Sequence, residues 1–206
     1  MLKVWGRTNS INVQKAMWTI GELGLKYEHT NAGGAFGMVG DASYLAMNPN
    51  GRVPVIDDDG LVVWESNAIV RYLCAKHSDG KLWPSDAGAR TLADRWMDWQ
   101  ASSLTTDMTT VFWGMIRLPA AERDMSAIGA AVDRLNGSLG ILDQHLANRE
   151  WVGGDGMTMG DIAIGALVYR WLHMPIERAE HRNVSAYFER LTTRAAFVEH
   201  VMIPLS

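Results

Sequence analysis

Arg52-Val53-Pro54-Val55-Ile56-Asp57-Asp58-Asp59-Gly60-Leu61-Val62-Val63-Trp64-Glu65-Ser66 is the stretch that decides the fold. Its two apolar runs, Arg52 to Ile56 and Leu61 to Trp64, flank an Asp-rich segment that ends in glycine. Asp-Gly reaches the left-handed backbone that tight hairpin turns need, so the pair predicts an antiparallel hairpin. Pro54 brings no ladder N–H and is allowed at a strand start. Ser66 then opens a helix whose buried face is Ile69, Val70, Leu73 and Cys74. Working upstream, Val13 to Leu23 carries apolar residues at helical spacing (Val13, Ala16, Met17, Ile20, Leu23), and Gly24 closes it. Leu2 to Trp5 and Lys26 to His29 read as strands on either side of that helix, and the glycine-rich Asn31 to Gly40 reads as a loop. The order is therefore strand, helix, strand, loop, strand, strand, helix.

Downstream, residues 78–86 contain Gly80, Pro84 and Ser85 and read as a linker. From Ala87 to Ser206 the pattern is helical, with turn signals near Pro119, from Trp151 to Gly156, near Pro175 and at Pro204. The expected organisation is an α/β domain over 1–77 and an all-helical domain over 87–206.

Composition narrows the function. The 206 residues suffice for one large or two small domains, and 48% hydrophobic with 20% charged content is ordinary for a globular chain. A net charge of -4 argues against a general nucleic-acid binder. Met1 to Gly6 lacks an apolar run with a small-residue cleavage site, and nothing is long and apolar enough to cross a bilayer. The single cysteine, Cys74, excludes an internal disulfide and a CxxC motif, which suits a reducing cytoplasm. The scattered histidines form no HxxxH pair, so no metal is expected. The 9 Trp and 12 Met supply large, adaptable apolar surface.

Four places carry chemistry. The turn Asn9-Ser10-Ile11-Asn12 precedes the first helix, where such residues ordinarily serve as caps. A hydroxyl and an amide at the positive end of a helix also favour an anion, such as a thiolate. Arg52-Val53-Pro54 offers backbone groups at a strand start. Glu65-Ser66 joins an acid to a helix N-terminus, a pairing that suits a ligand with both an ammonium and a carboxylate. Thr158-Met159-Gly160-Asp161 has capping-box spacing before the apolar run Ile162 to Leu167 and is read as a folding element.

This order of elements, with Val53-Pro54 opening the third strand and Glu65-Ser66 the third helix, resembles the cytosolic glutathione transferase family over nearly the whole chain. Ser10 falls where its theta and delta classes keep a catalytic serine, and Asn12 where bacterial nu-like members keep a functional asparagine. The resemblance implies a thioredoxin-like N-terminal domain, an all-helical C-terminal domain and a homodimer. It also implies a cytoplasmic detoxifying enzyme with glutathione as co-substrate and an active site in the cleft between the domains. Ser10 and Asn12 would donate to the sulfur. Arg52, Val53, Pro54, Glu65 and Ser66 would hold glutathione, with the Val53-Pro54 bond cis. Ile11, Phe112, Trp113 and Met115 would line the electrophile pocket. Alternatives are glutathione-dependent disulfide reduction of the nu-like type and non-catalytic binding of glutathione or a hydrophobic ligand. A membrane or nucleic-acid partner is not expected.

Other features are set aside. Ala32 to Gly37 fits neither GxGxxG nor a P-loop. Asp57 to Gly60 lacks the spaced acids of a calcium loop. Cys74 lies on a buried helix face, so mixed-disulfide chemistry by a protein cysteine is disfavoured.

Overall fold

The computed structural model describes residues 1–78 and 80–206, so Asp79 of the expected linker lies outside the described residues. The chain divides into two compact units, 1–83 with 195–203, and 84–194 with 204–206.

In the first unit, β1 (Leu2–Trp5), α1 (Ile11–Glu22), β2 (Tyr27–Thr30), α2 (Ala42–Met47), β3 (Val55–Asp58), β4 (Leu61–Trp64) and α3 (Ser66–His77) follow the expected order with one addition, the short helix α2. The sheet order is β2-β1-β3-β4. β1 runs parallel to β2, and the other neighbours are antiparallel. This is the mixed sheet of a thioredoxin-like domain. Asp59 (φ 53) and Gly60 (φ 95) both take positive φ, which is the two-residue hairpin turn that the Asp-Gly pair predicts.

Strand alternation sorts the core into two layers. Leu2, Val4 and Ile56 face Val13, Ala16, Met17 and Ile20 of α1 and Ile69 and Leu73 of α3. On the opposite face, Val55 packs with Ala32 and with Tyr44 of α2, with Trp5 and Val53 against them. The helix α9 (Ala195–His200) also belongs to this unit: Phe197 meets Trp18 of α1 edge-on, with ring centroids 4.8 Å apart. Residues 195–203 read in sequence as the tail of the helical region, and their apolar face is buried on α1 instead.

The second unit holds α4 (Ala87–Trp99), α5 (Thr105–Phe112), α6 (Met125–Leu146), α7 (Met159–His173) and α8 (Arg182–Thr192). The long helical stretch after the linker is interrupted by two π-helical turns, Gln100–Leu104 and Trp113–Arg117. The first is pinned by Thr105, whose hydroxyl donates to the Gln100 carbonyl at 2.9 Å and accepts from the Gln100 amide at 3.0 Å. α7 is buried on nearly every side, as its unbroken apolar run requires.

Candidate functional site

The first unit gathers most of the predicted glutathione-site residues around the starts of α1 and α3. Ser10 is the N-cap of α1, extended at φ -88 and ψ 123, and its carbonyl accepts from Gln14 N–H at 2.9 Å. Its hydroxyl makes no capping hydrogen bond. Asn9 accepts from Arg7 Nη1 at 2.8 Å. The ordinary capping role therefore does not account for the Ser10 side chain.

Asn12 reaches the start of α3. The Ser66 hydroxyl donates to Asn12 Oδ1 at 3.2 Å, across 54 positions of sequence. That bond takes the carbonyl end of the carboxamide and leaves its NH2 end to face another acceptor. Two residues read separately from sequence are thus one polar pair.

Glu65, the N-cap of α3, has φ 69 and ψ 113, a positive φ that a non-glycine residue seldom adopts. Its carboxylate is exposed and caps nothing, while its carbonyl accepts from Ile69 N–H at 2.9 Å. Holding a long side chain there costs about 1–3 kcal/mol, the kind of local expense that clusters at ligand sites.

Sequence reasoning missed what lies beneath this start. Lys15 of α1 is 3% exposed, and its ammonium donates to Asn67 Oδ1 of α3 at 2.9 Å. Burial lowers its pKa to about 7, with the Glu65 charge pulling it up and Arg71 pushing it further down. The signal available was a lysine inside the buried stripe Val13, Ala16, Met17.

The Val53-Pro54 peptide bond is cis, as the resemblance implies. The residue before it is fixed by α2: Tyr44 Oη and Asn48 Nδ2 each donate to the Arg52 carbonyl at 2.9 Å. Burial pushes the Tyr44 phenol up to about 12, so it stays a donor at any ordinary pH. Gly33 (φ 80) belongs to the same support. A Cβ there would stand 3.3 Å from Val53 Cγ1, so the glycine-rich segment serves close approach to Val53 rather than a phosphate. Arg52 itself is exposed, Val53 half-buried and Pro54 buried. The hairpin is tied to α3 by Asp58, whose Oδ2 accepts from Tyr72 Oη at 2.8 Å and Lys76 Nζ at 2.7 Å. Cys74 is buried, and its thiol is pushed up to about 12 by burial, so it is a core residue.

Ile11 is half-buried in the first turn of α1. The other expected pocket residues lie in the second unit. Phe112 is 4% exposed and packs under Arg170, whose guanidinium carbon is 3.7 Å from the ring centroid. Trp113 is 52% exposed and Met115 is half-buried. At the start of α7, Asp161 accepts from Val152 N–H, Thr158 N–H, the Thr158 hydroxyl and Tyr187 Oη at 2.8–3.1 Å, completing the expected capping box.

Comparison with known proteins identifies the family. Residues 1–75 match the model of the glutathione S-transferase N-terminal domain, and residues 104–195 that of the C-terminal domain. The chain is 41% identical over 208 residues to glutathione S-transferase GstB of Escherichia coli, covering 100% of both. Its structure superposes with a TM-score of 0.97, at 43% identity, on the theta class glutathione S-transferase of Xanthomonas axonopodis pv. citri with glutathione bound, covering 100% of this chain and 99% of that one. It is also 31% identical over 157 residues to elongation factor 1-gamma 1 of rice, which is 75% of this chain and 37% of that protein. Matched in both domains and along its full length, the chain belongs to the glutathione S-transferase family.

Proposed function

We propose that the first unit binds reduced glutathione and presents its sulfur as a thiolate for attack on a soft electrophilic carbon. A C–S bond forms and the leaving group departs with its electron pair. The observation that carries this reading is the start of α3, where an exposed Glu65 in a strained backbone, a buried Ser66 and the Asn12 pair converge. Glu65 would pair with the γ-glutamyl ammonium, and the helix start with its carboxylate. Val53 would pair its backbone with the cysteinyl part, and Arg52 would attract the glycyl carboxylate.

A free thiol has a pKa near about 8.5 and is only slightly ionised at neutral pH. Donation from the Ser10 hydroxyl and the Asn12 NH2 favours the anion. Support comes from the Ser10 hydroxyl being unused as a cap and from the Asn12 carbonyl being occupied by Ser66. Ile11, Phe112, Trp113 and Met115 would receive the electrophile. Because Ser66 holds Asn12 in place, a second reading also has support: glutathione-dependent disulfide reduction, in which Cys74 takes no part. The setting we propose is cytoplasmic detoxification by a homodimer, the commonest oligomer symmetry. Sedimentation at the mass of two chains is expected, and a single-chain species at micromolar concentration overturns the dimer.

Two measurements test the function. Calorimetry should detect glutathione, and Glu65→Ala should weaken it about tenfold or more, a loss of roughly 1.5–3 kcal/mol for a charge-assisted pair. Turnover of an aryl halide, a hydroperoxide and a mixed glutathione disulfide then separates the chemistries. Glutathione bound without turnover of any of the three would mark a carrier.

A further inference from the structure

Two hydrogen bonds tie the start of α1 to the start of α3. The Ser66 hydroxyl donates to Asn12 Oδ1 at 3.2 Å, and Lys15 Nζ, about one turn further along α1, donates to Asn67 Oδ1 at 2.9 Å. Ser66 and Asn67 are the first two residues of α3, and Lys15 and Asn67 are both buried. An ammonium therefore stands at the first turn of α3, the end where a helix leaves its N–H groups unsatisfied.

Packing does not account for a lysine here. Its ammonium does not reach water as a snorkelling lysine's would, and a methionine of similar length would fill the same apolar stripe without the cost of burying a charge. Lys76, at the far end of α3, shows the ordinary arrangement: it is exposed and pairs with Asp58 at 2.7 Å. Two charged groups act on Lys15, both from α3: Glu65 favours the ammonium and Arg71 opposes it. The sheet meets α1 with the apolar Leu2, Val4 and Ile56. On α9, Glu199 and His200 stand 3.8 Å apart, with His200 against Gly21 at the far end of α1.

We propose that Lys15 is a positioning residue for the γ-glutamyl carboxylate of glutathione: through Asn67 it fixes the first turn of α3, and its charge stands behind the N–H groups that receive the carboxylate. The inference rests on the glutathione reading given above and uses groups of the first unit alone. It makes binding and protonation one event. The carboxylate lies on the helix start beside Asn67, while the ligand's ammonium lies farther out, on the exposed Glu65. A bound carboxylate therefore tightens the hold of Lys15 on its proton. Burial brings the free ammonium down to a pKa of about 7. Above that pH, binding should take up a proton and weaken as pH rises. Well below it, Lys15 is charged with or without ligand, and the linkage vanishes.

The test is calorimetry with S-methylglutathione, which has no thiol to ionise, from pH 6 to 8 in buffers of different ionisation heat. The wild type, Lys15→Met and Lys15→Arg are compared, and cooperative unfolding shows that each is folded. Wild-type affinity should fall about threefold to tenfold across this range, with proton uptake at its upper end. Lys15→Met should bind at pH 6 about tenfold more weakly than the wild type, with no pH dependence and no uptake. Lys15→Arg, whose charge is permanent, should recover part of the affinity and show no uptake. A wild type that binds with a flat, proton-free profile would overturn the inference. So would Lys15→Met with wild-type affinity, or with weaker binding that keeps the wild-type pH profile, which would make Lys15 a packing residue. A wild type that does not bind S-methylglutathione at millimolar concentration would overturn the glutathione reading, and this inference with it.

Discussion

Two helix starts in this protein use similar residues for opposite ends. At α7, Thr158 and Asp161 direct everything inward: Asp161 is 0% exposed and satisfies two backbone N–H groups and two hydroxyls. Burial raises its carboxyl to about 6 even with those donors pulling the other way. At α3, the acid stands outside. Glu65 caps nothing, sits at φ 69, and has beneath it a buried ammonium instead of a buried carboxylate. A helix start that satisfies its own groups stabilises the fold. One that holds polar groups outward at a conformational cost is built for something else to satisfy, and a cation beneath it adds to the positive end of the helix dipole.

The largest effect should come from breaking the closed start. Asp161→Ala leaves several buried donors without a partner and should destabilise the protein by about 3–5 kcal/mol. Denaturant unfolding checks this. A loss much below that range would mean that the α7 start is not the folding element described here.

The buried cation under the open start comes next. With its folded pKa near 7 and an ordinary value of 10.5, Lys15 binds its proton less tightly in the folded chain. The unfolded chain therefore holds the extra proton between those values, and Lys15 makes stability rise with pH across that window. The slope is at most about 1.4 kcal/mol per pH unit. Below about pH 7 both states are charged and the slope vanishes. Lys15→Met should remove it, read as the wild-type-minus-variant difference in unfolding free energy from pH 7 to 10.

The sulfur donors should give a smaller, more local effect. Ser10→Ala or Asn12→Ala should raise the pKa of bound glutathione by up to about one unit, worth roughly 1.4 kcal/mol, while affinity changes little. Ultraviolet thiolate absorbance against pH follows this in each single variant and in the double variant. Unchanged titration in all of them would leave the helix start alone responsible for the thiolate.

These contrasts were unevenly legible in the sequence. The hairpin, the buried faces of α1 and α3, the capping box and the family's residue pattern are all encoded in local spacing, which is why they could be read. The helix α2 was not, because six residues beside a glycine-rich loop show no full apolar period and only Tyr44 is buried. The Ser66–Asn12 bond spans 54 positions and leaves no local trace. The left-handed Glu65 has no composition signal, since turn rules point to Gly, Asn or Asp there. Lys15 was passed over because lysine is seldom buried. What escaped the sequence is largely what makes the α3 start open.

Glu65→Gly tests that claim most directly, through the thermal unfolding midpoint with and without glutathione. Glycine adopts positive φ freely and is a tolerable N-cap, so the unliganded midpoint should hold or rise, by up to about 1 kcal/mol in stability. Glutathione should raise the wild-type midpoint by mass action and raise that of the variant distinctly less. A variant that melts lower on its own and gains as much from glutathione as the wild type would show that Glu65 serves the fold, and would contradict the account.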